Sequence, residues 1–245
     1  MDLLNLILLF VVGVVAGFIN VNAGGGSSLT LPTLIFMGMD SAMANGTNRI
    51  ALLLQNIFAV TSFRKNKFHQ FKTSLGLAVF TLPGAIFGAV AATQVSHNLF
   101  QKILAVVLLF IVISIFFTSS YKNRLQAATS HWSVYPAMFI IGFYGGFIQV
   151  GVGFLLMAAL YHLLKVNLVL VNMHKVFIIL VYTMPALLIF ILTGNVIWKY
   201  GLALAAGNSI GGWWGARAAV KGGEKFIRIV LAITIFIMAV KLFLG

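Results

Sequence analysis

Arg49, in AMANGTNRIALLLQNIF, and Lys175, in LVLVNMHKVFIILVYTM, lie well inside apolar segments, 126 residues apart. Each directly follows a polar residue, Asn48 and His174. A cation at lipid depth is costly and is a functional-site candidate by default. Arginine presents a planar, permanently charged fork that suits oxyanions, and lysine a compact point charge. The chain holds three acids, Asp2, Asp40 and Glu224, all expected at segment ends or at the N-terminus. Neither cation therefore has a carboxylate partner in its own segment. The chemistry this predicts is the binding of a small anion by Arg49 and Lys175 together. Pairing with backbone carbonyls at a helix break is the competing structural role.

Neutral donors surround both cations. In Asn22-Ala-Gly24-Gly25-Gly26-Ser27 the glycines allow positive φ and close approach of a ligand to the backbone. A helix starting near Ser27 would turn free N–H groups and a positive dipole end toward an anion. Gln149-Val-Gly151-Val-Gly153 is a weaker version of the same break. Thr47, Asn48 and Gln55 add neutral coordination in the first half, although polar glue between helices is the ordinary use of any one of them. A histidine ordinarily titrates near neutrality, so His174 is a candidate for proton coupling, against the commoner role of a hydrogen-bonded interior histidine.

Composition narrows the class. Of 245 residues, 61% are hydrophobic, 22 are Phe and only 8% are charged, which marks an integral membrane protein. Cysteine is absent, which removes disulfides and thiolate metal sites. There is no Walker-type loop, no buried carboxylate pair and no metal-binding constellation, so we expect no enzyme, no metal and no cofactor. The net charge of +13 sits largely in short loops between apolar segments, which points to the cytoplasmic leaflet and not to nucleic acid. The first segment, Leu3 to about Ile19, lacks a basic n-region and reads as a retained helix.

Ten apolar segments follow one another, near 3–20, 27–39, 42–63, 73–93, 99–118, 134–150, 153–164, 167–193, 197–219 and 225–244. A spanning helix needs roughly 20 apolar residues, and 27–39 and 153–164 are too short. Each follows a glycine break, the mark of broken or re-entrant helices at a transporter site. The halves align at an offset of 126 to 127: Gly84 and Gly88 with Gly211 and Gly215, Phe100-Gln-Lys102 with Phe226-Ile-Arg228, Asn48-Arg49 with His174-Lys175. Arg64, Lys65, Lys67 and Lys72 crowd one loop of the first half, whereas the matching loop has Lys199 alone. Basic loops thus alternate, which predicts two inverted repeats of about five segments, 1–120 and 134–245, joined by a cytoplasmic linker over 121–133. Ten spans with both termini outside satisfy the charges; eight spans with re-entrant hairpins are the rival. The small-xxx-small pairs fit packing between repeats or in a homodimer. Pro83 and Pro185 should kink their helices.

Gly17-Phe18, the Gly24-Gly25-Gly26 run with Pro32 and Leu34, Gly46-Thr47-Asn48, the Arg64-Lys65-Asn66-Lys67 loop and the two Gly-xxx-Gly pairs together resemble the sulfite exporter TauE/SafE family of bacterial permeases. The resemblance runs from about residue 5 to 243. Gly151-Val-Gly153 departs from the family's second run, lacking its third glycine and following proline. The resemblance implies a multi-pass inner-membrane protein that moves sulfite or an organosulfonate, exporting it through a central cationic site between inverted repeats. Another small anion (thiosulfate, sulfate or a carboxylate) and a non-transporting assembly scaffold are the alternatives.

Overall fold

The computed structural model describes residues 2–117 and 134–244, and all regular structure within them is helical. The linker expected over 121–133, with Lys122 and Arg124, lies outside the described residues. The helices are α1 (Asp2–Asn22), α2 (Ser27–Phe36), α3 (Ser41–Lys65), α4 (Phe71–Gln94), α5 (His97–Phe117), α6 (Val134–Phe147), α7 (Val152–Leu164), α8 (Leu168–Leu192) and α9 (Trp198–Leu244). The last two expected segments are two helices that meet at a kink within the span labelled α9, where Gly223 leaves the helical backbone (φ 63°, ψ −160°). The two short segments are short helices, of 10 and 13 residues.

Matching helices repeat in length and in their starts. Both α3 and α8 have 25 residues. Each begins after an extended residue, Asp40 or Asn167, and the Asn167 side chain accepts a hydrogen bond from the Leu170 amide at 3.0 Å, as N-caps do. Pro83 and Pro185 stand inside α4 and α8 without ending them.

The polarity is inside out relative to a water-soluble protein. Arg49, Lys175, Asn22, Asn45, Gln55, Asn172 and His174 are buried, whereas Leu3, Phe87, Ile140, Leu188 and Trp214 are exposed. Lipid tails are the solvent that such an exterior fits. Leu3–Asn22, Phe71–Gln94 and Leu168–Leu192 are long and apolar enough to cross a membrane. At the end of α3, next to the basic loop, the Lys65 ammonium lies 5.0 Å from the Trp213 ring.

Packing is an exchange. α1 lies mainly against α9 and α6 against α4, while α3 contacts α9, α8 contacts α4, and α3 and α8 meet each other. Glycines set these seams. A Cβ on Gly84 or Gly88 would run into backbone of α6, and one on Gly211 into backbone of α1. The Gly-xxx-Gly faces are therefore occupied within the chain. At the centre the two breaks touch directly: a Cβ on Gly24 would lie 2.6 Å from Gly153 Cα and nearer still to its carbonyl carbon.

Gly24 and Gly38 share the same backbone strain, with φ of +87° and +88°, but nothing lies within 4 Å of a Cβ on Gly38. Gly38→Ala should therefore cost only the left-handed penalty, about 1 kcal/mol. Gly24→Ala adds a backbone clash on top, about 1–3 kcal/mol or more. Thermal melting of the two variants in detergent checks this; equal midpoints would contradict contact between the breaks.

Candidate functional site

Both cations end on carbonyls of a helix from the other half of the chain. Arg49 on α3 reaches the C-terminal turn of α6. Its Nη1 donates to the Gly145 carbonyl at 3.3 Å, and Nη2 to Gly145 at 3.3 Å, to the Gly146 carbonyl and to Asn45 Oδ1 at 3.5 Å. Asn45, one turn earlier, donates its Nδ2 to the Phe147 carbonyl at 2.7 Å. Lys175 on α8 does the same for α1. Its Nζ donates to the carbonyls of Asn20 (3.1 Å) and Val21 (2.7 Å) and to Asn172 Oδ1 (2.8 Å). Asn172 Nδ2 donates in turn to the Asn22 carbonyl at 3.4 Å. A cation and an asparagine one turn before it thus cap three successive carbonyls, twice.

The physical reason is local. A helix that stops inside the protein leaves its last carbonyls without intrahelical partners and carries negative dipole charge. The Ile19 carbonyl takes the amides of Ala23 and Gly24, and the Tyr144 carbonyl those of Ile148 and Gln149. The three carbonyls after each of these need other donors, and at this depth water is a poor supplier.

Donor counting separates the two cations. An ammonium has three N–H donors, and those of Lys175 meet three oxygens, with Met157 Sδ at 3.4 Å besides. Lys175 has nothing left to give an anion directly. Arg49 keeps its Nε–H, which is buried and unpartnered, while the Phe190 ring packs 4.7 Å from its guanidinium carbon.

The breaks hold further open donors. At the first, Ser28 and Leu29 amides donate to the Gly25 and Gly26 carbonyls at 3.0 Å, but among the described residues the amides of Gly25, Gly26 and Ser27 meet no acceptor. At the second, the same holds for the amides of Gly151 and Gly153. All five residues are buried, and buried backbone N–H groups without partners are rare. Gln149 sits in the second break at φ 62°, and both its side-chain polar atoms are buried and unpartnered.

The remaining expected residues are distributed unevenly. Asn22 belongs to the break: its Nδ2 donates to the Phe18 and Gly215 carbonyls, at 2.9 and 3.2 Å, and its Oδ1 is open. Gln55 accepts from Asn20 Nδ2 at 3.2 Å and Asn208 Nδ2 at 3.3 Å, and its Nε2 is open. Asn48 Oδ1 is buried without a partner. Two residues are engaged elsewhere. Thr47 Oγ1 accepts from the Ile197 amide at 3.0 Å, fixing the turn before α9, and His174 Nδ1 meets Ser74 Oγ of α4 at 2.8 Å. Asp40 and Glu224 stay at the periphery, Asp40 beside His97 at 3.7 Å and Glu224 paired with Arg228. Among the described residues no cluster of His, Cys, Asp or Glu could hold a metal.

Sequence reasoning left Tyr182 out. Its hydroxyl is buried beside Gln149, and its ring occupies the space that a Cβ on Gly145 would need. A signal existed: at the offset of 126 that pairs Arg49 with Lys175, Tyr182 stands where Asn56 stands in the first half.

Comparison with known proteins places the chain among membrane transporters. The family model described as sulfite exporter TauE/SafE matches residues 9–242. A protein named probable membrane transporter protein ORF9, from Sinorhizobium sp, is 30% identical over 240 residues, covering 96% of this chain and 90% of that one. A probable membrane transporter protein of Haemophilus influenzae is 29% identical, covering 97% and 94%. The Escherichia coli K12 protein named probable membrane transporter protein YfcA is 30% identical, covering 96% and 88%. No solved structure matches the chain. With a family model spanning nearly its whole length, this chain belongs to the sulfite exporter TauE/SafE family.

Proposed function

We propose that the protein is a secondary transporter that moves a small sulfur oxyanion, sulfite or an organosulfonate, out across the bacterial inner membrane. The observation that carries this reading is the set of buried, unpartnered N–H donors at two touching helix breaks, beside cations that meet no carboxylate. Such a centre is electropositive, poor in water and short of acceptors, and a small oxyanion brings several acceptors at once. The family's name and the names of its relatives support the substrate class and the transport role.

The two halves would insert with opposite orientation, as the alternating basic loops require. Access would alternate as the seam between them rocks about the Gly24–Gly153 contact. An inside-negative potential favours exit of an anion by about 2.3 kcal/mol per charge per 100 mV, so export needs no other coupled ion. Arg49 would face the anion with its Nε–H. Lys175 would act through its charge and by holding the end of α1.

Flux in proteoliposomes under an imposed potential tests the function. Wild type should carry sulfite in a potential-dependent manner, and Arg49→Gln should lose at least tenfold of that rate, the equivalent of about 1.4 kcal/mol. Flux of thiosulfate or sulfate without sulfite would reassign the substrate. A wild-type protein that moves none of these anions would favour an assembly scaffold.

Lys175 has a different expected signature, in stability. Lys175→Met strips two carbonyls and Asn172 Oδ1 of their donor, which should cost about 3 kcal/mol or more. Combined with Asn172→Leu the loss should be less than additive, by about 1–3 kcal/mol. Denaturant melts of the four proteins in the cycle read this; strict additivity would refute the shared cap.

A further inference from the structure

α3 and the first part of α9 run side by side in the same direction. The Ile197 amide donates to Thr47 Oγ1 at one end, and Ser62 Oγ donates to the Trp213 carbonyl at 3.2 Å at the other. On the inner side the two helices touch closely: a Cβ on Gly201 would meet Ile50, and one on Gly212 would meet Gln55. On the outer side they part, and a groove of about 980 Å³ opens between them. Leu54, Phe58 and Lys65 line it from α3, and Leu202, Ile210 and Trp213 from α9. Their spacing places them on one face of each helix. Ala206 lies between the walls and is too small to fill the space.

The groove has the depth of one leaflet. From Leu54, midway along α3, to Lys65, its last residue, the helix rises about 16 Å. Half of a hydrocarbon core of about 30 Å is about 15 Å. The deep end is apolar and the shallow end is cationic. The Lys65 ammonium lies 5.0 Å from the Trp213 ring. Arg64 is exposed beside it, and Arg217 is exposed one turn beyond Trp213. Among the described residues no carboxylate pairs with any of these three cations.

We infer that this groove binds an anionic phospholipid, with one acyl chain lying between α3 and α9 and the headgroup phosphate meeting Lys65. A soluble anion has no apolar stem with which to fill the space below the lysine. A spanning helix of a second copy would run the full thickness of the membrane, whereas the lining ends at Leu54 and Leu202. A zwitterionic lipid carries its own ammonium, which offsets its attraction to the cations, and an anionic one does not. The site stands on α3, the helix that carries Arg49, and does not depend on which anion the protein moves.

Tryptophan quenching in the full chain, reconstituted in phosphatidylcholine vesicles, tests the site. With Trp132→Phe and Trp198→Phe as background, only Trp213 and Trp214 emit. The quencher is phosphatidylglycerol or phosphatidylcholine brominated on its acyl chains. Phosphatidylglycerol should reach half-quenching at a mole fraction about fivefold lower, as one cation near an anionic headgroup gives. Lys65→Gln should cut that preference to below about twofold. Ala206→Phe fills the groove with Lys65 in place, and should raise the half-quenching fraction of phosphatidylglycerol about threefold or more. Lys67→Gln removes a cation of the same loop that does not line the groove, and should keep most of the preference.

Equal quenching by the two lipids in the unsubstituted groove would overturn the site. So would an undiminished preference in Lys65→Gln, or an equal loss in Lys67→Gln, which would mark a general basic surface. Weak quenching by both lipids, relieved by diluting the protein in the membrane, would give the groove to a second copy of the chain instead. All of these readouts are independent of sulfite flux, so the transport reading stands or falls separately.

Discussion

Helices that end in the middle of the protein impose the constraint from which the other features follow. α1 and α6 stop at buried breaks, and each leaves three carbonyls, at 20–22 and 145–147, that their own backbone cannot satisfy. Leaving one buried acceptor open costs about 1–3 kcal/mol, so two uncapped ends would cost as much as the whole stability of a typical domain. Arg49 with Asn45 and Lys175 with Asn172 remove that cost. The cations are stabilised by the same contacts, because negative helix ends stand in for the missing carboxylates. Each half supplies the cap for the other, so neither first helix can settle without its opposite number.

That reciprocity explains the packing. A cap that comes from the opposite half draws α1 toward α9 and α6 toward α4, and the seams must be thin for the carbonyls to reach. Gly84, Gly88 and Gly211 thin them by leaving no Cβ in the way. The contact of Gly24 with Gly153 is the same requirement at the centre, where both breaks have to share one small space.

Much of this was legible in the chain, and what was not has a definite cause. The membrane class, the short helices after the glycines, the matched segments and the depth of Arg49 and Lys175 follow from residue type and spacing. The carbonyl caps do not, because every residue has a carbonyl and no letter marks the open ones. The same blindness made Lys175 look like an anion ligand, although its three protons are already used. Thr47 and His174 were drawn toward the site by their neighbours in sequence, yet successive helical residues face different ways. They meet Ile197 and Ser74 instead. Tyr182 was hidden by a background in which 13% of residues are aromatic.

The departures from internal symmetry carry more functional meaning than the symmetry itself. Matched features, the caps and the seams, are what any pair of interlocked halves needs in order to fold. Where the halves differ, folding alone gives no reason for the difference. Gln55 on α3 lies against a polar neighbour, Asn20, and accepts from it. Tyr182 on α8 lies against Gly145, which offers no side chain, and its polar neighbour is Gln149 of the second break. Open buried polar groups weaken a fold, and they persist where something outside the chain completes them.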